Sequence, residues 1–171
     1  IQESNMSRPL SQFTKPVVIG TTKEEGNIYI RNESRKLSPE RFVEVMTLND
    51  IHLHISQAQT GKDQARMVTT HYFETPAISF LNQLDNNPHC WKLRFDWCLS
   101  NASPFQSAYH ILDLVFWFGK LEILKAHGVN SLEHERHLSK HMIDDLIYFA
   151  TYHTMPWPSY SPQTPYCYIY K

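Results

Sequence analysis

The sequence predicts an α/β protein with a small parallel sheet, and three observations carry that prediction. Runs of strand length and strand composition stand far apart, at residues 16–20 and 91–97. Helical periodicities with proline-marked starts fill the interval between them. A further helix and a proline-rich turn then precede a last aromatic run, Tyr166 to Tyr170. Two or three strands are few for 171 residues, so the sheet reads as part of a larger one.

Taken in order, residues 1–15 are polar and mixed, and read as a lead-in loop, with the domain proper over residues 16–171. Pro16-Val17-Val18-Ile19-Gly20 packs β-branched residues into a short run closed by glycine, the pattern of a fully buried parallel strand. A loop, "GTTKEEGNIYI", follows it. Ser38 before Pro39 is a cap with proline at the first helical position, and Phe42, Val45 and Met46 recur at helical spacing. Thr75-Pro76 repeats that start ahead of Ile78, Leu81 and Leu84. Trp91 to Trp97 alternates apolar and charged side chains, the period of a strand. A long helix is expected over roughly Leu132 to Tyr152, its stripe of Leu138, Met142, Leu146 and Phe149 turned to the core. Pro156, Pro158, Pro162 and Pro165 forbid more helix and deliver the chain to its last strand.

Composition excludes whole classes of partner. A formal charge of −1 without a basic tract offers nothing to neutralise phosphates, so no nucleic acid is expected. No apolar stretch reaches the roughly 18 residues of a membrane span. Cys90, Cys98 and Cys167 are three and widely spaced, which gives neither a paired disulfide framework nor a Cys-x-x-Cys metal pattern; reduced thiols are expected.

Chemistry in open α/β sheets gathers at the carboxyl ends of the strands. The loop after the first strand carries Glu24 and Glu25, and the loop after the second leads to His110, set before the oily run "ILDLVFWFG" with its single carboxylate Asp113. A carboxylate and an imidazole on neighbouring strand ends can meet. Acyl transfer is the chemistry that uses such a pair, since the imidazole moves a proton while the carboxylate fixes its tautomer.

Three segments carry a family resemblance. "PVVIGTTKEEGNIYI" resembles the acid-bearing turn of the type-B carboxylesterases, in which a strand leads into Gly-Thr-Thr-Lys/Arg-Asp-Glu-Gly. "WKLRFDWCLSNASPFQSAYHILDLVFWFG" is similar to their histidine segment, and "MIDDLIYFATYHTMPWPSY" to their last helix and closing Trp-Pro-x-Tyr. The resemblance covers about residues 15–171. It implies the C-terminal part of an α/β-hydrolase fold, an incomplete sheet with flanking helices. It also implies a carboxylic ester as substrate, no cofactor and no metal, with Glu25 as triad acid and His110 as triad base. The third member is not in this sequence: the five glycines include no pair at the Gly-x-Ser-x-Gly spacing of a nucleophile elbow. The expectation is therefore a piece of a longer enzyme that needs an upstream, serine-bearing part and is inactive alone. Two alternatives stand beside it, an esterase-fold recognition module without catalysis and a truncated, inactive remnant.

The departures from the family pattern bear on substrate shape. Glu24 stands where aspartate is usual, which leaves two candidate acids, the position before Gly26 favouring Glu25. Tyr109 crowds the base, Val115 replaces a common proline, and Thr151 to Pro156 is a shortened turn. Phe116, Trp117 and Phe118 suit either an acyl pocket or a core. His134, His137 and His141 share one helix face without the His-Glu-x-x-His spacing, and read, like His52 and His54, as surface residues.

Overall fold

The computed structural model describes residues 13–30, 33–84, 87–99 and 104–171. Most of the lead-in expected over residues 1–15 lies outside them.

The three strands β1 (Val17–Thr22), β2 (Cys90–Phe95) and β3 (Tyr168–Tyr170) form one parallel sheet in the order β1-β2-β3. Val17 pairs with Cys90 and Thr22 with Phe95, while Phe95 pairs with Tyr170 on the other side. Asn87 pins the start of β1, giving its Nδ2–H to the Lys15 carbonyl at 2.9 Å. Because the register is parallel, side chains sort by parity. Val18, Gly20, Trp91, Leu93, Phe95, Tyr168 and Tyr170 share one face, and Val17, Ile19 and Cys90 the other.

Each face receives its own helices. Pro39–Thr47 (α1) starts where Ser38 Oγ accepts the Arg41 N–H, as its cap sequence predicts, and buries Phe42 and Met46. Gly61–Thr69 (α2) is capped by Thr60 and Asp63, each accepting the other's backbone N–H. Thr75–Gln83 (α3) packs Leu81 and the following Leu84 against Val17, Ile19 and Cys90. Leu112–Trp117 (α4), Glu122–Ala126 (α5) and Glu133–Tyr152 (α6) cover the opposite face. There Leu112, Phe116, Leu138 and Met142 meet Trp91, Leu93 and Phe95 in the main core. His153, with φ of 58°, turns α6 off in the left-handed region, three residues before Pro156.

Several expectations need correction. The helix expected from Thr75-Pro76 is present as α3, with proline in its first turn, but no cap separates it from what precedes: a π-helical segment, Thr70–Glu74, joins it to α2, and Thr69, Thr70, Glu74 and Thr75 all keep helical φ and ψ. β1 is not fully buried. Among the described residues it has a neighbouring strand on one side only, its valines and Ile19 are half-buried, and Gly20 is exposed. It also runs two residues past Gly20, and the last strand is shorter than read, beginning at Tyr168. Of the α6 stripe, Leu138 and Met142 are buried and Phe149 packs half-buried against the same core, but Leu146 is 50% exposed. Of the aromatic trio, Phe116 is core, Trp117 is half-buried and Phe118 is 69% exposed. The exposed apolar side chains Leu114, Phe118 and Leu146 rise beside a groove of about 430 Å³ floored by Val18, Gly20 and Leu93. That groove opens next to the unpaired edge of β1.

Candidate acid and base site

Beyond Thr22 the chain is laced to its neighbours before it is free to turn. The Lys23 N–H reaches the Phe95 carbonyl at 2.9 Å, and the Glu24 N–H reaches that of Ala108 at 3.0 Å. A 3₁₀ turn, Glu25–Ile28, then folds back over the end of β1. In it the Glu25 carboxylate accepts the Thr22 N–H on Oε1 at 2.6 Å, leaving Oε2 for His110 Nδ1 at 2.7 Å. Glu24 takes a different part, its Oε2 accepting the Ala108 N–H at 3.3 Å. Of the two glutamates, Glu25 is the one that faces the imidazole.

The asymmetry of burial in this pair has a chemical consequence. The Glu25 side chain is 6% exposed and that of His110 34%. A buried carboxylate needs a donor for each oxygen, and here it has two. Against an ionised carboxylate Nδ1 must carry the proton, so Nε2 of the neutral ring is an acceptor, the form a general base requires. Directly after His110, Ile111 adopts φ of 65°. A β-branched residue there is strained, at a cost of about 1–3 kcal/mol. The bend lets the loop drop Leu112 into the core and start α4 at once.

The acid turn is clamped from below by α2. The Gly26 N–H donates to Thr69 Oγ1 at 2.9 Å, and Thr69 in turn donates to the Ala65 carbonyl at 3.0 Å. A side chain at Gly26 has no room, since its Cβ would stand 1.9 Å from the Ala65 oxygen. Sequence reasoning missed this helix, although the Thr60 and Asp63 capping pair was a signal for it. Asp113, in the first turn of α4, accepts the Trp117 Nε1–H at 3.2 Å. Burial first, and the negative charge of Glu25 next, push its carboxyl above the usual aspartate range.

The remaining polar clusters lie elsewhere. Lys23, Glu24, Lys62, Arg66 and Glu74 wall a charged cleft of about 280 Å³; neither it nor the apolar groove is lined by His110. His134, His137 and His141 are exposed, and no cluster of three metal-ligating side chains occurs among the described residues. His52 and His54 are exposed as well. The three cysteines form no disulfide. No helix among the described residues is long and apolar enough to cross a membrane.

A two-faced parallel sheet with a carboxylate and an imidazole paired at the ends of adjacent strands is the architecture of an α/β-hydrolase, and the chain has the fold of the C-terminal part of one. No protein-family model matches the chain. It is similar to the para-nitrobenzyl esterase of Bacillus subtilis (strain 168), at 26% identity over 160 residues, 87% of this chain and 32% of that protein. A solved PNB esterase superposes with a TM-score of 0.74 at 26% identity, covering 91% of this chain and 34% of that one. A thermophilic PNB esterase shares the fold, with a TM-score of 0.77 at 24% identity and the same coverage. The likeness is thus to type-B carboxylesterases of the para-nitrobenzyl kind, and the chain spans about a third of the length of the relatives it matches.

Proposed function

We propose that this chain is the acid-bearing and base-bearing portion of a serine carboxylesterase, and that its domain occupies residues 16–171. The observation that carries the reading is the 2.7 Å contact between Glu25 Oε2 and His110 Nδ1. In this scheme a serine hydroxyl attacks the ester carbonyl while His110 Nε2 takes its proton. The tetrahedral intermediate collapses to an acyl-enzyme, and the leaving alkoxide receives that proton from Nε2. Water then repeats the relay and releases the acid. Glu25 holds the tautomer and steadies the imidazolium, and its buried seat keeps it from turning to solvent. The serine and the oxyanion donors come from residues outside these 171, because no elbow sequence is among them.

Two features support the dependence on further protein. Among the described residues the outer edge of β1 has no strand beside it, and unpaired edges call for a partner. The apolar groove continues that edge, with Leu114, Phe118 and Leu146 exposed on its rim. Alone, the chain is expected to hydrolyse no simple aryl ester through His110. Release of nitrophenol from a nitrophenyl ester tests this directly: turnover by the isolated chain that disappears in His110→Ala overturns the proposal.

A further inference from the structure

One uninterrupted helical run, from Gly61 to Gln83, touches Gly26, the residue after the acid, and the base His110 itself. Ala65 and Thr69 seat Gly26, next to the acid, as described. One turn on, the half-buried Phe73 sets its ring against the imidazole, with centroids 5.0 Å apart and planes inclined by 51°. Tyr29, in the loop after the acid turn, flanks the same imidazole at 6.2 Å.

Geometry makes the third contact unexpected. In an α-helix, positions four apart drift by about 40° around the axis, because a turn takes 3.6 residues. From Ala65 through Thr69 to Phe73 the drift reaches about 80°, enough to swing Phe73 off the face that meets the site. The π segment Thr70–Glu74 offsets it. There the Thr75 N–H reaches back five residues to the Thr70 carbonyl, and the wider turn rotates the chain less per residue. The cause is written in the sequence: Pro76 has no N–H for the Tyr72 carbonyl, and its ring crowds that carbonyl, so the turn before it opens.

We propose that Phe73 is a positioning residue for His110, brought into place by the π turn that Pro76 imposes. This rests on the esterase reading, in which Nδ1 must stay on Glu25 while Nε2 faces the serine. One hydrogen bond leaves the ring free to tilt about it, and the aromatic face of Phe73 closes off that tilt.

The test is the His110 Nδ1 proton, followed by NMR in the ¹⁵N-histidine-labelled chain and assigned by its absence in His110→Gln. In the unaltered chain it is expected as a resonance protected from exchange with water. Phe73→Ala is expected to speed its exchange about tenfold or more, the mark of easier local opening, and Phe73→Tyr to preserve it. Pro76→Ala lets the π turn relax to α and is expected to speed exchange too, although alanine is the better helix former. A merely structural role for the helix would leave that variant as well protected as before, or better. Exchange unchanged in both Phe73→Ala and Pro76→Ala overturns the role of Phe73 and leaves the esterase reading standing. If Phe73→Ala does not fold, Pro76→Ala decides alone. Loss of protection in Phe73→Ala only keeps Phe73 and overturns the part given to Pro76. An unaltered chain with no protected Nδ1 proton overturns the pairing of Glu25 with His110, and with it the reading on which this role rests.

Discussion

Replacing Gly26 with alanine puts a methyl group where helix α2 already has a carbonyl. The added Cβ would lie 1.9 Å from the Ala65 oxygen, 2.7 Å from its carbon and 3.0 Å from its Cα. To reach the roughly 3.3 Å of a close carbon–oxygen contact, the turn and the helix must part by about 1.4 Å. Neither can yield by a rotamer change, since every atom in the way is backbone. Overpacking costs about 1–3 kcal/mol where side chains can adjust, so the upper end applies here. Separation also stretches the 2.9 Å bond from Gly26 N–H to Thr69, worth about 1 kcal/mol more. Together Gly26→Ala is expected to cost about 3–4 kcal/mol, a large share of the roughly 5–15 kcal/mol that holds a domain folded. Gly20→Ala is the internal control. Its Cβ meets the Leu93 Cδ1 at 2.8 Å, the far end of a flexible side chain, and about 1 kcal/mol is expected. Urea denaturation of both variants, compared at equal slope, reads the difference. A Gly26→Ala loss below about 1 kcal/mol, or no larger than that of Gly20→Ala, refutes the clamp between α2 and the acid turn.

Two further predictions concern buried polar groups. Asp113 has its carboxyl raised in the fold by burial and by Glu25, so its contribution to stability is fullest below the unfolded aspartate value near 3.9 and is lost as pH climbs through the folded value. Asp113→Asn is therefore expected to stabilise the chain at neutral pH and to gain nothing below about pH 4; denaturation midpoints at both pH values check this, and equal gains contradict it. Tyr170, fully buried, donates to Asp145 Oδ2 at 2.6 Å and ties β3 to α6. Tyr170→Phe is expected to cost about 1.5–2 kcal/mol by denaturation, the low end for a bond to a carboxylate because His141 Nε2, at 3.2 Å, stays beside that oxygen. A loss under about 0.5 kcal/mol contradicts it.

How much of this the sequence carries differs from element to element. β2 is legible because Trp91, Leu93 and Phe95 alternate with Lys92 and Arg94, so one face is plainly apolar. The start of α1 is legible because Ser38 and Pro39 act locally. β1 was harder. A run of β-branched residues says that both faces seek cover, but not that Val17, Val18 and Ile19 stay half-buried and Gly20 exposed. The helix from Gly61 to Gln83 is obscured by its own irregularity, since a π turn breaks the period on which helix reading depends, and Pro76 then imitates a start. At the candidate site, the contact of Glu25 with His110 follows from two loops leaving adjacent parallel strands on the same side. The position before Gly26 already favours Glu25 as the one that makes it; what no local pattern announces is the long-range bond from the Ala108 N–H that engages Glu24. The seat under Gly26 and the ring of Phe73 are equally non-local, and belong to the stretch Gly61–Glu74, ahead of the helix that periodicity did reveal.

The central claim is that Glu25 and His110 serve as acid and base for a serine supplied from elsewhere. Its most direct measurement joins these residues, in frame, to the remaining two thirds of the Bacillus subtilis para-nitrobenzyl esterase in place of the matching third of that enzyme. The folded chimera is then assayed on a nitrophenyl ester. Turnover that falls at least about 10³-fold in His110→Ala, and strongly in Glu25→Gln, is the expected result. A chimera that turns over ester equally well without the His110 imidazole contradicts the account.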